Sequence, residues 1–223
     1  MSTVNGAWRG PNIVKDGLVL YLDAGSPNSY YSPTAGTTWK DISGNAYNGT
    51  LTNGPAYTGS NGGAIVFDGT NDYCITSYTN NSTYFTFECI LKVNDTSGIK
   101  VFTGKYSGTG DNYWLGMYND SKFTFSTNGT LLNSGITIST SQIYIVNCII
   151  GESLKEIYVN GTQKNSSSTF LLAPNGGLAL ATFGTSLGFY SNINIYNFKF
   201  YNRTLSATEI LQNYNAQKSR FGL

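Results

Sequence analysis

The segment from residue 192 to residue 214 constrains the fold of this chain more than any other stretch. Residues 192–201 alternate between apolar and polar side chains, with Tyr196, Phe198 and Phe200 set against Asn197 and Lys199. Successive side chains of a strand point to opposite faces of the sheet, so this period of two predicts a strand with one buried face.

A well-specified helix start follows this strand. Ser206 and Glu209 have the spacing of a capping box, in which each side chain accepts a hydrogen bond from the other residue's backbone N–H. Leu205 and Ile210 flank the box at the positions of a hydrophobic staple. The apolar face of the helix is predicted to consist of Ile210, Leu211 and Tyr214. We therefore expect a strand, a tight corner and a short docked helix.

Apolar segments separated by turn formers recur along the rest of the chain. Residues 17–24 and 63–67 are apolar on both faces and are predicted to be interior strands. Residues 85–93 alternate apolar side chains with Thr86, Glu88 and Lys92, which indicates one solvated face. We predict an all-β fold, a two-sheet antiparallel sandwich with one short C-terminal helix, over residues 17–223. Residues 1–16 lack periodicity and are predicted to form an extended N-terminal arm.

Composition excludes several classes of function. Histidine is absent from the 223 residues, which removes histidine-activated nucleophiles and histidine-ligated metals. A net charge of +1 with only 11% charged residues gives no electrostatic footprint for nucleic acid. The three cysteines lack CxxC spacing and are predicted to be buried thiols. No apolar run approaches the ~20 residues of a membrane span, and no signal-peptide pattern is present, so we expect neither a membrane partner nor secretion.

One loop is rich in hard oxygen ligands. It contributes Asp41, Ser43, Asn45 and Asn48, and neighbouring corners could add Asp23, Asp68 and Asp72. Calcium takes about 6–8 oxygens of mixed type, so these residues form a candidate calcium site, although no cofactor is required. The alternative is structural, because Asx side chains beside glycine also stabilise turns by bonding their own backbone.

Two further sets of residues could contact partners. Aromatic and amide side chains in or beside loops could form a glycan platform, and the candidates are Tyr106, Asn112, Tyr113 and Trp114. The alternative is that these aromatic side chains belong to the core. The arm could dock on another protein through Trp8, Arg9, Ile13 and Val14.

Four motifs follow one another along the chain. They are the Gly-Leu-Val-Leu-Tyr-Leu-Asp-Ala run of residues 17–24, the Trp-x-Asp-x-Ser-Gly-Asn-x-x-Asn-Gly-Thr run of 39–50, the Phe-Asp-Gly-x-x-Asp-Tyr run of 67–73 and the Asn-Arg-x-Leu-Ser-x-x-Glu-Ile run of 202–210. In this order they resemble the motifs of laminin-G-like jelly-roll domains in the concanavalin A-like lectin/glucanase superfamily. With this first motif and the ending of residues 214–221, the chain is similar to domains found in virion proteins of tailed phages. Some members of the family bind calcium at the rim of the sandwich.

The resemblance implies a virion structural protein, either a head decoration or a fibre or tail-appendage subunit. Its partners would be capsid or tail proteins, with homo-oligomeric or multivalent display, and its location would be the virion. The alternative is a glycan-binding adhesin that recognises host or environmental polysaccharide.

Enzymatic activity is not expected. Hydrolases of the superfamily carry a Glu-x-Asp-x-Glu strand that places two carboxylates across a sugar bond. None of the four glutamates lies in that pattern: Glu88, Glu152, Glu156 and Glu209. Glu88 is predicted to be solvated, Glu152 to lie in a turn and Glu209 to serve in the helix cap.

Overall fold

The computed structural model describes residues 12–30, 36–105, 112–168, 177–183 and 188–223. Strands and one helix make up most of them. In chain order they are β1 (Leu18–Asp23), β2 (Thr38–Trp39), β3 (Gly49–Thr52), β4 (Ala56–Thr58), β5 (Ala64–Asp68), β6 (Tyr73–Thr79), β7 (Phe85–Val93), β8 (Lys100–Lys105), β9 (Tyr113–Met117), β10 (Lys122–Thr127), β11 (Thr130–Thr137), β12 (Tyr144–Ile150), β13 (Lys155–Val159), β14 (Thr162–Ser167), β15 (Gly177–Leu180), β16 (Asn192–Tyr201) and α1 (Ala207–Gln217). Single 3-10 turns occupy Ser60–Gly62 and Lys218–Phe221.

The strands form two antiparallel sheets of eight strands each. Sheet A has the order β14-β13-β12-β7-β16-β5-β4, and β1 pairs with the second half of β16. Sheet B has the order β11-β10-β9-β8-β15-β6-β3-β2. The predicted all-β sandwich with one short C-terminal helix is confirmed. No helix among the described ranges is long and apolar enough to cross a membrane.

The main core lies between the sheets and is dominated by aromatic rings. Phe87 and Phe198 stack with centroids 6.1 Å apart, and Phe85 lies 4.6 Å from Tyr113 of the facing sheet. Each aromatic side chain buries roughly 150–250 Å², and contacts between rings stabilise the core beyond that burial. The three cysteines are buried in the same cluster as free thiols, as predicted.

A β-bulge in β16 changes the predicted alternation. The register against β7 shifts between Ile195 and Asn197. Ile195 and Phe198 therefore enter the main core, whereas Tyr196 joins a separate cluster and contacts the Phe221 ring. The prediction that Tyr196 shares a face with Phe198 is wrong, because a single extra residue inverts the pattern on one side of a bulge.

Helix α1 covers the outer face of β7 and β16. Glu88, predicted to be solvated, is fully buried, and Gln217 of α1 donates to its carboxylate at 2.8 Å. The buried residues of α1 are Ile210, Asn213 and Gln217, while Leu211 is 46% exposed. The prediction that Leu211 belongs to the apolar face is therefore wrong, since the helix buries amides over a polar patch of the sheet.

The helix begins with the predicted capping box. The Glu209 N–H donates to the Ser206 hydroxyl at 3.3 Å, and the Ser206 N–H donates to the Glu209 carboxylate at 2.8 Å. Leu205 and Ile210 are both buried in one apolar cluster, as a hydrophobic staple requires. The corner is fixed further by a hydrogen bond of 2.9 Å from the Leu205 N–H to the Thr86 hydroxyl.

Residues 12–16, which the sequence placed in the arm, pack against this helix. The Val14 N–H donates to Asn213 Oδ1 at 2.8 Å, and the Tyr201 hydroxyl donates to the Val14 carbonyl at 3.3 Å. The Val14 side chain is buried in the cluster that holds Ile210. Val14 therefore contacts its own chain, which corrects its assignment as a partner-docking residue. Ile13 is half-buried, and Trp8 and Arg9 lie outside the described residues.

Candidate functional site

A small aromatic pocket lies on the face of sheet B that points away from the core. Its volume is about 210 Å³. It is lined by Ile99, Val101, Trp114, Tyr118, Phe183 and Phe189. These side chains come from β8 and the residue before it, from β9 and its following turn, and from the β15–β16 connection.

Strand alternation explains why Trp114 faces the pocket. Its neighbours Tyr113 and Leu115 enter the main core, so the intervening indole projects to the opposite face. The indole lies 5.6 Å from the Tyr118 ring and 6.3 Å from the Phe183 ring, with interplanar angles of 46° and 80°. The pocket therefore offers both ring faces and ring edges to a ligand.

Phe189 forms the most exposed wall of the pocket. Its side chain is 52% exposed, and its ring meets that of Phe183 edge-on at 6.3 Å. Its backbone has φ of +52°, a left-handed conformation that is unfavourable for a bulky residue. The Val101 N–H donates to the Phe189 carbonyl at 3.1 Å, which fixes this conformation against β8. The fold thus maintains local strain while presenting an apolar ring to solvent.

The predicted glycan residues divide among different environments. Trp114 lines the pocket, whereas Tyr113 is fully buried between the sheets, so its assignment to an exposed platform is wrong. The Asn112 N–H donates to Asn128 Oδ1 at 2.8 Å in a turn, and Tyr106 lies outside the described residues.

Sequence reasoning missed Phe183 and Phe189. The available signal was aromatic side chains in a Gly-, Ser- and Thr-rich connection, where the core does not require them.

The Asp41 loop is closed by its own hydrogen bonds. Asp41 Oδ1 accepts from the N–H groups of Tyr21 and Ser43, both at 2.8 Å. Asp41 Oδ2 accepts from the Ser43 hydroxyl at 2.8 Å and the Tyr47 N–H at 3.0 Å. Asn45 Nδ2 donates to the Val19 carbonyl at 3.0 Å, and the Asp41 N–H donates to Asn48 Oδ1 at 2.9 Å. This arrangement matches the structural alternative, in which the loop side chains satisfy backbone donors.

The other candidate calcium ligands are engaged elsewhere. Asp23 accepts two hydrogen bonds of 2.8 Å from Arg220. Asp72 accepts from the Asp68 N–H at 3.1 Å, and burial raises the pKa of the Asp72 carboxyl, which disfavours the ionised form that a cation would need. Within the described ranges, no three carboxylate or thiol side chains converge on one position suited to a metal ion. The calcium site remains a prediction from the sequence.

A second, wider groove is lined by three glutamates, and neighbouring side chains bond two of them. It has a volume of about 740 Å³, and Glu152, Glu156 and Glu209 are among its lining residues. The Arg203 guanidinium beside Glu209 lowers the pKa of that carboxyl to about 2. Glu156 accepts from Gln163 Nε2 at 2.7 Å, and burial raises its pKa. Glu209 is thus occupied by Arg203 and the helix cap.

Comparisons with solved structures identify proteins of the same fold. The chain aligns over 92% of its length with 33% of Trypanosoma rangeli sialidase, at 15% identity and a TM-score of 0.71. It aligns over 91% with 52% of the binding domain of Paraclostridial Mosquitocidal Protein 1, at 19% identity and a TM-score of 0.71. It aligns over 88% with 98% of domain 4 of AbnA, an extracellular arabinanase from Geobacillus stearothermophilus, at 16% identity and a TM-score of 0.67. At these identities the likeness concerns the fold alone.

Sequence comparison assigns the family. No curated protein matches the chain. The family model described as the concanavalin A-like lectin/glucanases superfamily matches residues 67–211, from the end of β5 into α1. This range includes the central strands of both sheets and the helix cap. The chain belongs to the concanavalin A-like lectin/glucanases superfamily.

Proposed function

We propose that this chain is a non-catalytic glycan-binding module and that its ligand stacks in the aromatic pocket of sheet B. The observation that carries the proposal is the convergence of Trp114, Tyr118, Phe183 and Phe189 in one open pocket. Phe189 is held there in a strained conformation with half of its side chain exposed. Such strain at an exposed aromatic residue is typical of a binding site rather than of core packing.

The chemistry of the pocket fits one face of a sugar ring. A pyranose or furanose ring presents C–H groups on its face and hydroxyls at its edge, so an aromatic wall binds the face while solvent or rim groups bind the edge. At about 210 Å³ the pocket is smaller than the roughly 300–1,000 Å³ of drug-sized ligand sites. It therefore suits a single sugar unit of a longer chain, with modest affinity for each copy.

Structural neighbours that bind sugars or serve as binding domains support this proposal. Domain 4 of the arabinanase was solved with arabinotriose, and the sialidase with sialic acid. The mosquitocidal protein contributes a segment that is itself a binding domain. These ligands belong to those proteins, and they define a first set of probes for this chain.

The virion role is a further proposal about where such a module is displayed. It rests on the resemblance of the first strand and the C-terminal segment to phage virion domains. Multivalent display on a particle would compensate for the modest affinity of a one-ring site. Since Val14 packs within its own chain, docking through the arm would depend on Trp8, Arg9 and the half-buried Ile13.

Binding to immobilised polysaccharides, with arabinotriose and sialic acid as soluble probes, tests the glycan proposal. We expect Trp114→Ala and Phe189→Gly to weaken binding at least about tenfold, since removing an aromatic anchor commonly costs 2 kcal/mol or more. Glycine relieves the positive φ at residue 189, so Phe189→Gly should keep or raise the melting temperature.

Tyr84→Ala is the matched control, because Tyr84 is 37% exposed and does not line the pocket. We expect this variant to bind as the wild-type protein does. Glycan binding that survives both pocket variants would place the site elsewhere, and the absence of binding to any polysaccharide would reject the proposed function.

A further inference from the structure

A buried polar cluster lies between the outer face of sheet A and helix α1. It consists of Glu88 on β7, Lys199 and Asn197 on β16, Asn147 on β12 and Gln217 at the end of α1. The first four are fully buried and Gln217 is 7% exposed. Strand register explains the placement, because Glu88 lies directly opposite both Lys199 and Asn147 on its two neighbouring strands.

Three of these side chains are in mutual contact. Lys199 Nζ lies 2.8 Å from Glu88 Oε1 and 2.5 Å from Gln217 Oε1. Gln217 Nε2 donates to the same Glu88 oxygen at 2.8 Å. Since a carbonyl bond is about 1.2 Å long, Lys199 Nζ is at most about 3.7 Å from the Gln217 carboxamide carbon. This separation is close to the roughly 3–3.5 Å of a near-attack geometry.

The remaining two side chains complete a reaction site. Asn197 Nδ2 donates to Gln217 Oε1 at 3.1 Å, where a tetrahedral intermediate would place its negative charge. Asn147 Nδ2 donates to Glu88 Oε2 at 2.8 Å and holds the carboxylate in place. An amine, an acyl carbon, an acid–base group that touches both nitrogens and an oxyanion donor are thus assembled in a site largely closed to water.

We propose that Lys199 and Gln217 join autocatalytically through an isopeptide bond, with Glu88 as the acid–base group and release of ammonia. This activity is independent of glycan binding. It would attach the C-terminal end of α1 covalently to β16, so that these two segments stay joined even when the chain unfolds.

The reaction balances without a co-reactant. The proton of the Lys199 ammonium passes to the Glu88 carboxylate along their hydrogen bond, which removes two charges from a buried site. The Nζ lone pair then attacks the Gln217 carboxamide carbon, and the carbonyl electron pair moves to the oxygen held by Asn197. Glu88 takes a second proton from Nζ as it gives its first to the Gln217 nitrogen. The carbon–nitrogen bond breaks and ammonia leaves, with Glu88 protonated.

Intact-mass spectrometry of the purified full chain under denaturing conditions tests the proposal. After incubation of the folded protein, we expect a mass lower than the sequence mass by one ammonia. Protease digestion should give one branched product that joins the peptides containing Lys199 and Gln217. A full sequence mass after prolonged incubation would show that the cluster is only a hydrogen-bonded network and would overturn the proposal.

Fragmentation of the peptides in the mass spectrometer must also show which residues have lost ammonia. Asparagine followed by glycine can lose ammonia by forming a succinimide, and this chain has seven such pairs, which begin at Asn5, Asn48, Asn53, Asn61, Asn128, Asn160 and Asn175. A succinimide lies within one linear peptide and hydrolyses in mild base, whereas the isopeptide bond joins two peptides and survives. Ammonia loss confined to an Asn-Gly peptide, or a bond from Lys199 to Asn197, would contradict the assignment.

Variants identify the roles of the side chains. Lys199→Arg keeps the positive charge but lacks a nucleophilic amine, and Glu88→Gln keeps the shape but cannot shuttle a proton, so both should show the full mass expected for their sequences. Lys155→Arg changes another fully buried lysine, which bonds Thr127 and the Thr130 carbonyl, and should retain the ammonia loss. The wild-type mass is decisive by itself, so a variant that fails to fold does not weaken the test.

Discussion

Arg220 and Asp23 join the C-terminal segment to the first strand through a two-pronged ion pair. Arg220 Nη1 lies 2.8 Å from Asp23 Oδ2, and Nη2 lies 2.8 Å from Asp23 Oδ1. Nη2 also donates to the Gly62 carbonyl at 2.9 Å. The Asp23 side chain is 7% exposed and that of Arg220 29%, so solvent screens the pair only partly. The pair therefore fixes the segment after α1 onto sheet A.

The first prediction concerns this geometry. Arg220→Lys keeps the charge but loses the planar fork, so we expect the free energy of unfolding to fall by about 1–3 kcal/mol in urea denaturation. Arg203→Lys is the matched control, because Arg203 also forks onto a carboxylate, but its partner Glu209 is 27% exposed. That substitution should cost less than about 1 kcal/mol. Equal effects of the two substitutions would contradict the importance we assign to the buried carboxylate.

The second prediction concerns pH. Burial alone raises the pKa of Asp23, but the hydrogen bonds and charge of Arg220 outweigh burial and lower it below its ordinary value. A lowered folded-state pKa stabilises the protein above the unfolded-state value of about 3.9, and this contribution is lost as pH falls through the folded-state pKa. We therefore expect Asp23→Asn to be less stable than wild type at neutral pH, and this difference to shrink near pH 2. A constant difference across this range would show that the effect is not ionic.

The third prediction concerns the helix start. Ser206→Ala removes the acceptor of the Glu209 N–H, so we expect a loss of about 0.5–2 kcal/mol, whereas Ser206→Gly should cost only a few tenths. Leu205→Ala removes a side chain that is 3% exposed and should cost about 2–5 kcal/mol. Thermal melts of the three variants show which substitution destabilises the protein most and which least. Unchanged melting for both alanine variants would show that α1 is not docked.

The fourth prediction concerns calcium. Four donors already occupy the Asp41 carboxylate, so we expect the same melting temperature in millimolar calcium and in EDTA. Asp41→Asn should destabilise the protein equally in both solutions, because it disrupts the turn. A melting temperature that rises with calcium concentration, and an effect of EDTA lost in Asp41→Asn, would instead establish the calcium site.

The features predicted well from the sequence depend on residues close together in the chain. The partners in the cap lie between Leu205 and Ile210, so local spacing was sufficient to predict them. The burial of Glu88 depends on Gln217, which lies 129 residues away, and alternation within β7 carries no information about what covers its outer face. Contacts between residues far apart in the chain therefore determine whether the outer face of β7 is buried, and the strand pattern does not reveal them.

The candidate site was likewise only partly predictable from the sequence. The sequence identified Trp114 but also selected Tyr113, because every residue of β9 is buried and the apolar run does not show which residues face the core. Phe189 combines a positive φ with a contact to β8, and neither property appears in a strand or turn pattern. The position of the pocket thus became evident only when β8, β9 and the β15–β16 connection were seen together.

The last prediction concerns the N-terminal segment. Deleting residues 2–11 removes Trp8 and Arg9 but keeps the contacts described for residues 12–16, so we expect the melting temperature to fall less than in a longer deletion that removes Val14. Deleting residues 2–14 also removes the Val14 side chain, which is 7% exposed, and leaves Asn213 Oδ1 without the Val14 N–H. We expect this longer deletion to cost about 1.5–3 kcal/mol for the lost apolar burial alone.

The pair of deletions separates stability from partner docking. Association with capsid, tail or identical subunits that is lost in the 2–11 deletion, at unchanged stability, would support docking through Trp8 and Arg9. Val14→Ala in the full chain is the control, because it leaves those two residues in place while weakening the cluster around Ile210. If both deletions melt at the wild-type temperature, the contacts of Asn12 and Val14 with α1 and Tyr201 do not stabilise the fold in solution.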